Sequence, residues 1–253
     1  MKISDQIVLV TGGARGLGLA ITQALLVEGA RIVVNYHASH SQATALVQQY
    51  PEQIFAYQAD VTDKSQVIAM FEAAKQHFNA PIHSIINNAL IQFEFNGDAR
   101  PKIEDLDAQT MTQQFDGAVL AALNTTQAGL KDMQALGFGR IINIGTNLVQ
   151  NPVVPYHDYT TAKAALLAFT RTAAQDLGQY GILVNMLSGG LLQKTDASKA
   201  TPDAVFDLIA ASTPLRRVTR PEEFAAAVMM FLSPYARAVT GQNLIVDGGL
   251  VKG

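Results

Sequence analysis

Seven short apolar runs alternate along the chain with longer stretches of helical periodicity, and this alternation constrains the fold more than any other feature. The runs are QIVLVT, RIVVNY, IFAYQAD, IHSIIN, GRIINIG, ILVNML and NLIVDGG. Their residues are mostly apolar without interruption, so each strand needs cover on both faces, as in a parallel sheet sandwiched between helices. The intervening stretches supply that cover. From Gly16 to Glu28, Leu17, Ala20, Ile21 and Ala24 fall at i, i+3, i+4 and i+7, with Gly29 as a helix stop. Further helices are predicted from about Lys64 to Phe78, through the 110s to 130s, and from Pro155 to about Leu177. No internal repeat, low-complexity tract or linker divides the 253 residues. The expectation is an α/β fold: one doubly wound Rossmann-type domain over residues 1–253, with a seven-stranded parallel sheet and helices on both faces.

Charge and composition narrow the function classes. The net charge of −3, with 18 scattered basic residues, argues against nucleic acid or an anionic membrane as partner. The absence of cysteine removes disulfides and thiolate chemistry and fits a reducing cytoplasm. The opening MKISDQIVLVTGG is too briefly apolar for a signal peptide, and no run reaches about 18 apolar residues. The expectation is a cytoplasmic protein. The five histidines form no ligand-spaced cluster with carboxylates, so no metal site is predicted, and a G-x-S-x-G hydrolase motif is missing.

TGGARGLG, residues 11–18, stands between the first strand and the first helix. Glycines at 12, 16 and 18 permit a tight turn and close approach of a pyrophosphate to the free N–H groups of a helix start. The competing reading is a strand-to-helix turn with no ligand. An acid about 20 residues past such glycines, at the end of the second strand, binds the ribose 2′-hydroxyl of NAD. Here the expected position holds Asn35, which is neutral, while Arg15 offers a planar fork for a phosphate and His37 and Ser39 add donors. NADP(H) is therefore expected, with NAD(H) as the alternative; Arg15 also reads as a solvated charge.

YHDYTTAK, residues 156–163, holds two tyrosines before one lysine. Tyr159 and Lys163 are four apart and share a helix face. A free phenol has a pKa of about 10, and a nearby ammonium lowers it, so the pair can give a proton to a carbonyl oxygen or take one from an alcohol. Tyr156, seven before Lys163, shares that face almost as well.

In TGGARGLG, Asp60-Val61, NNA at 87–89, YTTAK and the closing VTGQNLIVDGG, taken in order, nearly the whole chain resembles the short-chain dehydrogenase/reductase family, with 3-oxoacyl-[acyl-carrier-protein] reductases the most similar members by motif. The resemblance implies that Gly12, Gly16, Leu17 and Gly18 line the pyrophosphate, that Asp60 and Val61 hold the adenine, and that Asn88 and Ala89 line the adenosine side. Residue by residue, the competing readings are a helix cap for Asp60 and turn chemistry for Asn87 and Asn88. It further implies that Tyr159 is the proton donor, that Lys163 holds the nicotinamide ribose, and that Thr146 stands where the family has serine. Tyr156 is the position used by enoyl reductases of this broad family; its other reading is a wall of the substrate cleft.

The chain departs from the pattern in four places. Ala118 takes the position of the asparagine that keeps a relay water, Leu90 follows NNA where glycine is usual, and Gly189 replaces a proline. IQFEFNGDARPKIEDL is long and carries aromatic and charged residues, as if to reach over the cleft or meet another subunit. Residues 190–213 are expected to form a substrate lid, with Lys194 as an anion contact. The expected function is NADP(H)-dependent reduction of a ketone, such as a 3-oxoacyl thioester, or the reverse alcohol oxidation. The rivals are an enoyl reductase using Tyr156 and a nucleotide-binding sensor with little turnover. The resemblance also implies a homotetramer or dimer.

Overall fold

The computed structural model describes residues 1–252 except 92, 94, 97–99, 194 and 196. Seven strands form one parallel sheet: β1 (Ile7–Val10), β2 (Arg31–Tyr36), β3 (Ile54–Gln58), β4 (Ser84–Asn87), β5 (Gly139–Thr146), β6 (Ile182–Gly189) and β7 (Asn243–Val246). Their order in the sheet is β3-β2-β1-β4-β5-β6-β7. The order reverses between β1 and β4, and a crevice opens at their carboxyl ends, where doubly wound sheets bind ligands.

Eight α-helices cover the faces: α1 (Gly16–Val27), α2 (His40–Gln49), α3 (Lys64–Phe78), α4 (Ala108–Phe115), α5 (Ala121–Leu136), α6 (His157–Leu177), α7 (Asp203–Ser212) and α8 (Pro221–Leu232). The strand pleat explains why the runs are apolar throughout. Val8 and Val10 of β1 face the core beneath α1 and α8, with Ile21, Leu25, Phe224 and Val228. Ile7 and Leu9 face the other way, into the core beneath α3, α5 and α6, with Val67, Met70, Met133 and Ala173. All four β1 side chains are fully buried.

Each predicted strand and helix is present, and α3 spans the expected Lys64–Phe78. Sequence periodicity did not single out α2 or α8, nor did it place α7 inside the expected lid. The stretch through the 110s to 130s is not one regular helix: α4 and α5 are joined by a π-helical turn, Asp116–Leu120, where Ala121 N–H donates to Asp116 O. Leu90, where glycine is usual, has its backbone outside the left-handed region, so a side chain there meets no backbone strain.

Candidate active site

The glycine loop leaves β1 and is tied to the end of β4. Thr11 Oγ1 accepts from the N–H groups of Asn88 (2.9 Å) and Ala89 (3.0 Å), and Asn88 Nδ2 donates to Thr11 O at 2.9 Å. Gly18 has no room for a side chain, since a Cβ there would lie 2.1 Å from Gly12 O and 2.7 Å from Asn88 Nδ2. Gly12 and Gly16 have positive φ (63° and 52°), which residues with a Cβ rarely adopt. Arg15 is the N-cap of α1 and makes no side-chain cap, so the first-turn N–H groups stay open toward the cleft.

Gly12, Arg15, Gly16, Leu17, Gly18, Asn35, Asp60, Val61, Asn88 and Ala89 all line one cleft of about 1620 Å3, which also reaches Thr146, Tyr159 and Lys163. Not every predicted residue offers its side chain to this cleft. Asn35 is 2% exposed and spends its carboxamide inside the protein: Oδ1 accepts from Gly12 N at 3.3 Å and Nδ2 donates to Ala59 O at 3.0 Å. It sets the glycine loop against the end of β3. The side chains that follow it, Tyr36, His37 and Ser39, line the cleft instead, and Tyr36 Oη pairs with His40 Nδ1 at 3.0 Å.

Asp60 does not cap α3. Its Oδ1 accepts from Thr62 N (2.9 Å) and Thr62 Oγ1 (2.7 Å), closing a turn at the cleft wall. The cap is Asp63, which accepts from Ser65 N and Gln66 N. Asn124 of α5 steadies the same turn by donating to Val61 O and Thr62 O, both at 3.1 Å. Asn87, on the central strand β4, spends its side chain within the protein rather than on the cleft. A buried line of side chains runs Thr125 to Asn87 (2.7 Å), Asn87 to Asn143 (2.8 Å) and Asn143 to Thr170 (2.8 Å), joining β4 and β5 to α5 and α6. These pairings satisfy buried amides and hydroxyls that the apolar strand pattern does not announce.

At the far end of the cleft, α6 presents Tyr159 and Lys163 on one face, both buried. Thr146 ends β5, and its hydroxyl lies near enough to the Tyr159 phenol to favour the ionised form. Tyr156 is the N-cap of α6, 5% exposed, and shares the aromatic cluster around Tyr159. The electrostatics differ from the expected lowering of the phenol by the amine. Burial pushes the Tyr159 phenol up to about 12, offset in part by the Thr146 hydroxyl and reinforced by Tyr156. Lys163 Nζ donates to Ile144 O at 2.7 Å and stands 5.8 Å from the centre of the Tyr159 ring, and burial lowers its pKa to about 8. In a desolvated site the cost of either charge outweighs their mutual attraction at this separation.

The segment after β4 does reach over the cleft. Phe93 stacks on Tyr159 (ring centres 4.4 Å apart, planes 27°), and Phe95 meets the same ring edge-on at 5.6 Å. Phe95 also touches the segment expected as a lid: its N–H donates to Ala197 O at 3.4 Å and its carbonyl accepts from Thr201 Oγ1 at 3.2 Å. The paired aromatics of QFEF were the only sequence sign of this arrangement. Lys194, expected as an anion contact, lies outside the described residues. Ala118 borders a small cavity of about 10 Å3, with Thr11, Asn87, Gly117 and Lys163 around it, roughly the room of a single water. Among the described residues no group of three or more potential ligands is placed to hold a metal, and no helix is long and apolar enough to cross a membrane.

Comparison with known proteins bears on this geometry. A family model described as enoyl-(acyl carrier protein) reductase matches residues 12–251. A 3α-hydroxysteroid dehydrogenase of Mediterraneibacter gnavus is 31% identical over 257 residues, covering 98% of each chain. A 3-oxoacyl-[acyl-carrier-protein] reductase of Synechocystis sp. is 31% identical over 255 residues, again covering 98% of each. A crystal structure provisionally assigned as a gluconate dehydrogenase from Agrobacterium tumefaciens superimposes with a TM-score of 0.89 at 28% identity, covering 98% of this chain and 97% of the other.

Proposed function

We propose a function from one premise: the chain belongs to the short-chain dehydrogenase/reductase family and is an oxidoreductase of that kind. The reaction is reduction of a ketone to a secondary alcohol with NADP(H). The observation that carries this reading is the meeting of Thr146, Tyr159 and Lys163 at one end of a cleft whose other end is an uncapped helix start beside Arg15.

The cleft fits a dinucleotide. It is larger than the roughly 300–1,000 Å3 of an ordinary ligand pocket, and its glycine loop offers backbone N–H groups where a pyrophosphate needs them. Asp60 and Val61 wall the adenine end, and Asn88 and Ala89 the adenosine side. Preference for the 2′-phosphate is supported by Arg15 and by Tyr36, His37 and Ser39 lining the end of β2 without a carboxylate among them. Asn35 serves this preference indirectly, by fixing Gly12. When bound, the nicotinamide supplies the hydride. The chain supplies the rest: Thr146 and Tyr159 hold the substrate oxygen, Tyr159 gives it a proton, and Lys163 returns charge and proton to the phenol's side of the site. The small cavity between Lys163, Asn87 and Ala118 stands in for the missing relay asparagine. A phenol held protonated by burial is suited to the reducing direction, in which it starts as the acid.

The enoyl-reductase alternative rests on Tyr156, which lines the same cleft; Tyr159 is favoured by its place one helical turn from Lys163 and by the Thr146 hydroxyl beside it. Purified protein with NADPH, NADH and panels of ketones and enoyl thioesters tests the choice. Tyr159→Phe is expected to abolish ketone reduction while Tyr156→Phe keeps it. If only Tyr156→Phe is dead, the assignment fails; if no carbonyl or enoyl substrate consumes NADPH, the nucleotide-binding sensor takes its place.

A further inference from the structure

We infer that Arg100 is a positioning residue for Tyr159, holding the phenol ring in register by pressing Phe93 onto it while anchored to Asp158. The inference rests on the proposed role of Tyr159 as proton donor.

Four side chains make a closed loop of contacts. Asp158 and Tyr159 are consecutive in the first turn of α6. The Asp158 carboxylate accepts from Arg100 Nη2. The Arg100 guanidinium lies over the Phe93 ring, 4.3 Å from its centre, and Phe93 stacks on Tyr159 at 4.4 Å. The loop thus begins and ends on neighbouring residues of one helix. Phe93 is 7% exposed and Asp158 2%, and the Arg100 side chain is 13% exposed.

Tyr159 needs such a brace. The Thr146 hydroxyl lies near it, and the Lys163 amine is committed to Ile144 O rather than to the phenol. Ring orientation is therefore set by packing, and Phe93 covers one face. A guanidinium suits the outer layer, because it is planar, stays charged and sits well on an aromatic face. An ion pair this buried contributes little to stability, since desolvation of both charges offsets their attraction; its effect lies in where it places Phe93. Among the described residues, the charged and titratable groups around Tyr159 are Lys163, Tyr156 and Asp158 from α6 and its cap, and Arg100 from the segment after β4. From β5 comes the neutral Thr146, and the described lid residues meeting Phe95, Ala197 and Thr201, are uncharged.

The test combines kinetics with a readout that needs no substrate. Arg100→Ala is expected to lower kcat for ketone reduction about 10- to 100-fold, the scale of a misplaced catalytic group, with KM for the ketone little changed; the melting temperature falls as well, because the buried Asp158 carboxylate is left unpaired. Arg100→Lys, which keeps the ion pair but not the flat stack, recovers part of the loss. In fluorotyrosine-labelled protein the 19F resonance of Tyr159, identified by its disappearance in Tyr159→Phe, is expected to shift or broaden in Arg100→Ala. Should Arg100→Ala not fold, Asp158→Asn, of nearly equal size, carries the same expectation. Wild-type kcat with an unmoved Tyr159 resonance in a folded variant overturns the inference, even where Tyr159→Phe is inactive and the proposed function stands. A moved resonance together with an active Tyr159→Phe leaves the positioning role intact and removes the proposed function instead.

Discussion

Tyr159 and Lys163 carry opposite shifts with one cause. Burial raises the phenol to about 12 and lowers the amine to about 8, because neither charge is welcome away from water. The phenol therefore remains a proton donor through neutral pH, while the ammonium is lost first. Ketone reduction is expected to hold level below pH 8 and to fall as pH rises through about 8, whereas alcohol oxidation, which needs the phenol to accept a proton, climbs toward alkaline pH. Initial rates in both directions across pH check this. At the other end of the cleft, Gly18→Ala forces a methyl to within 2.1 Å of Gly12 O. It is expected to weaken NADP+ binding at least about tenfold, or about 1.4 kcal/mol, by equilibrium titration. That the glycines, Tyr159 and Lys163 line one cleft was legible because it depends on residue identity and short spacing. The direction of the phenol shift was not, since it depends on how much protein closes over the ring, and Phe93 sits 66 positions away along the chain.

Elements deliver these residues through their ends. Asp63 starts α3 by accepting from Ser65 and Gln66, whose hydrogen bonds hold its carboxyl down at about 2. Asp63→Ala is expected to lower the denaturant midpoint with unchanged slope, through loss of the N-cap. The strands were legible because full burial on two faces demands unbroken apolar runs. Helices α2 and α8 were less so for different reasons. In α2 only Ala43 and Leu46 are buried, so its apolar stripe is thin, while α8 is apolar around much of its circumference. Asn35 turns its carboxamide inward for a reason of register: β2 runs one residue further to Tyr36, and side chains alternate along it.

The whole molecule is stapled at the amino ends of its strands as well as at the cleft. His83 is 7% exposed, and its Nδ1 accepts from Ile7 N at 2.9 Å, which requires a neutral ring. Burial, helped by Arg31, holds its pKa below the ordinary 6.5. The unfolded chain therefore takes the proton first. Stability is fully present above about 6.5 and declines as pH falls from there toward the folded-state value. Urea midpoints from pH 8 to 5 are expected to show a drop that is reduced in His83→Gln; equal slopes in the two proteins count against the role. Nearby, Gln6 Nε2 donates to Leu232 O and Ser84 Oγ to Gln6 Oε1, so α8 is moored to β1 and β4 at the same end.

The π-helical turn at Asp116–Leu120 inserts, in effect, one surplus residue into an otherwise continuous rod. Removing one of those five positions lets a regular helix form with everything downstream still in phase, because the widened turn is what absorbs the extra residue. Asn124 then keeps its hold on the turn at Val61 and Thr62, and Thr125 on Asn87. A single-codon deletion in this stretch thus spares the helix that follows and alters only what the wide turn itself places, the wall of the small cavity at Gly117 and Ala118.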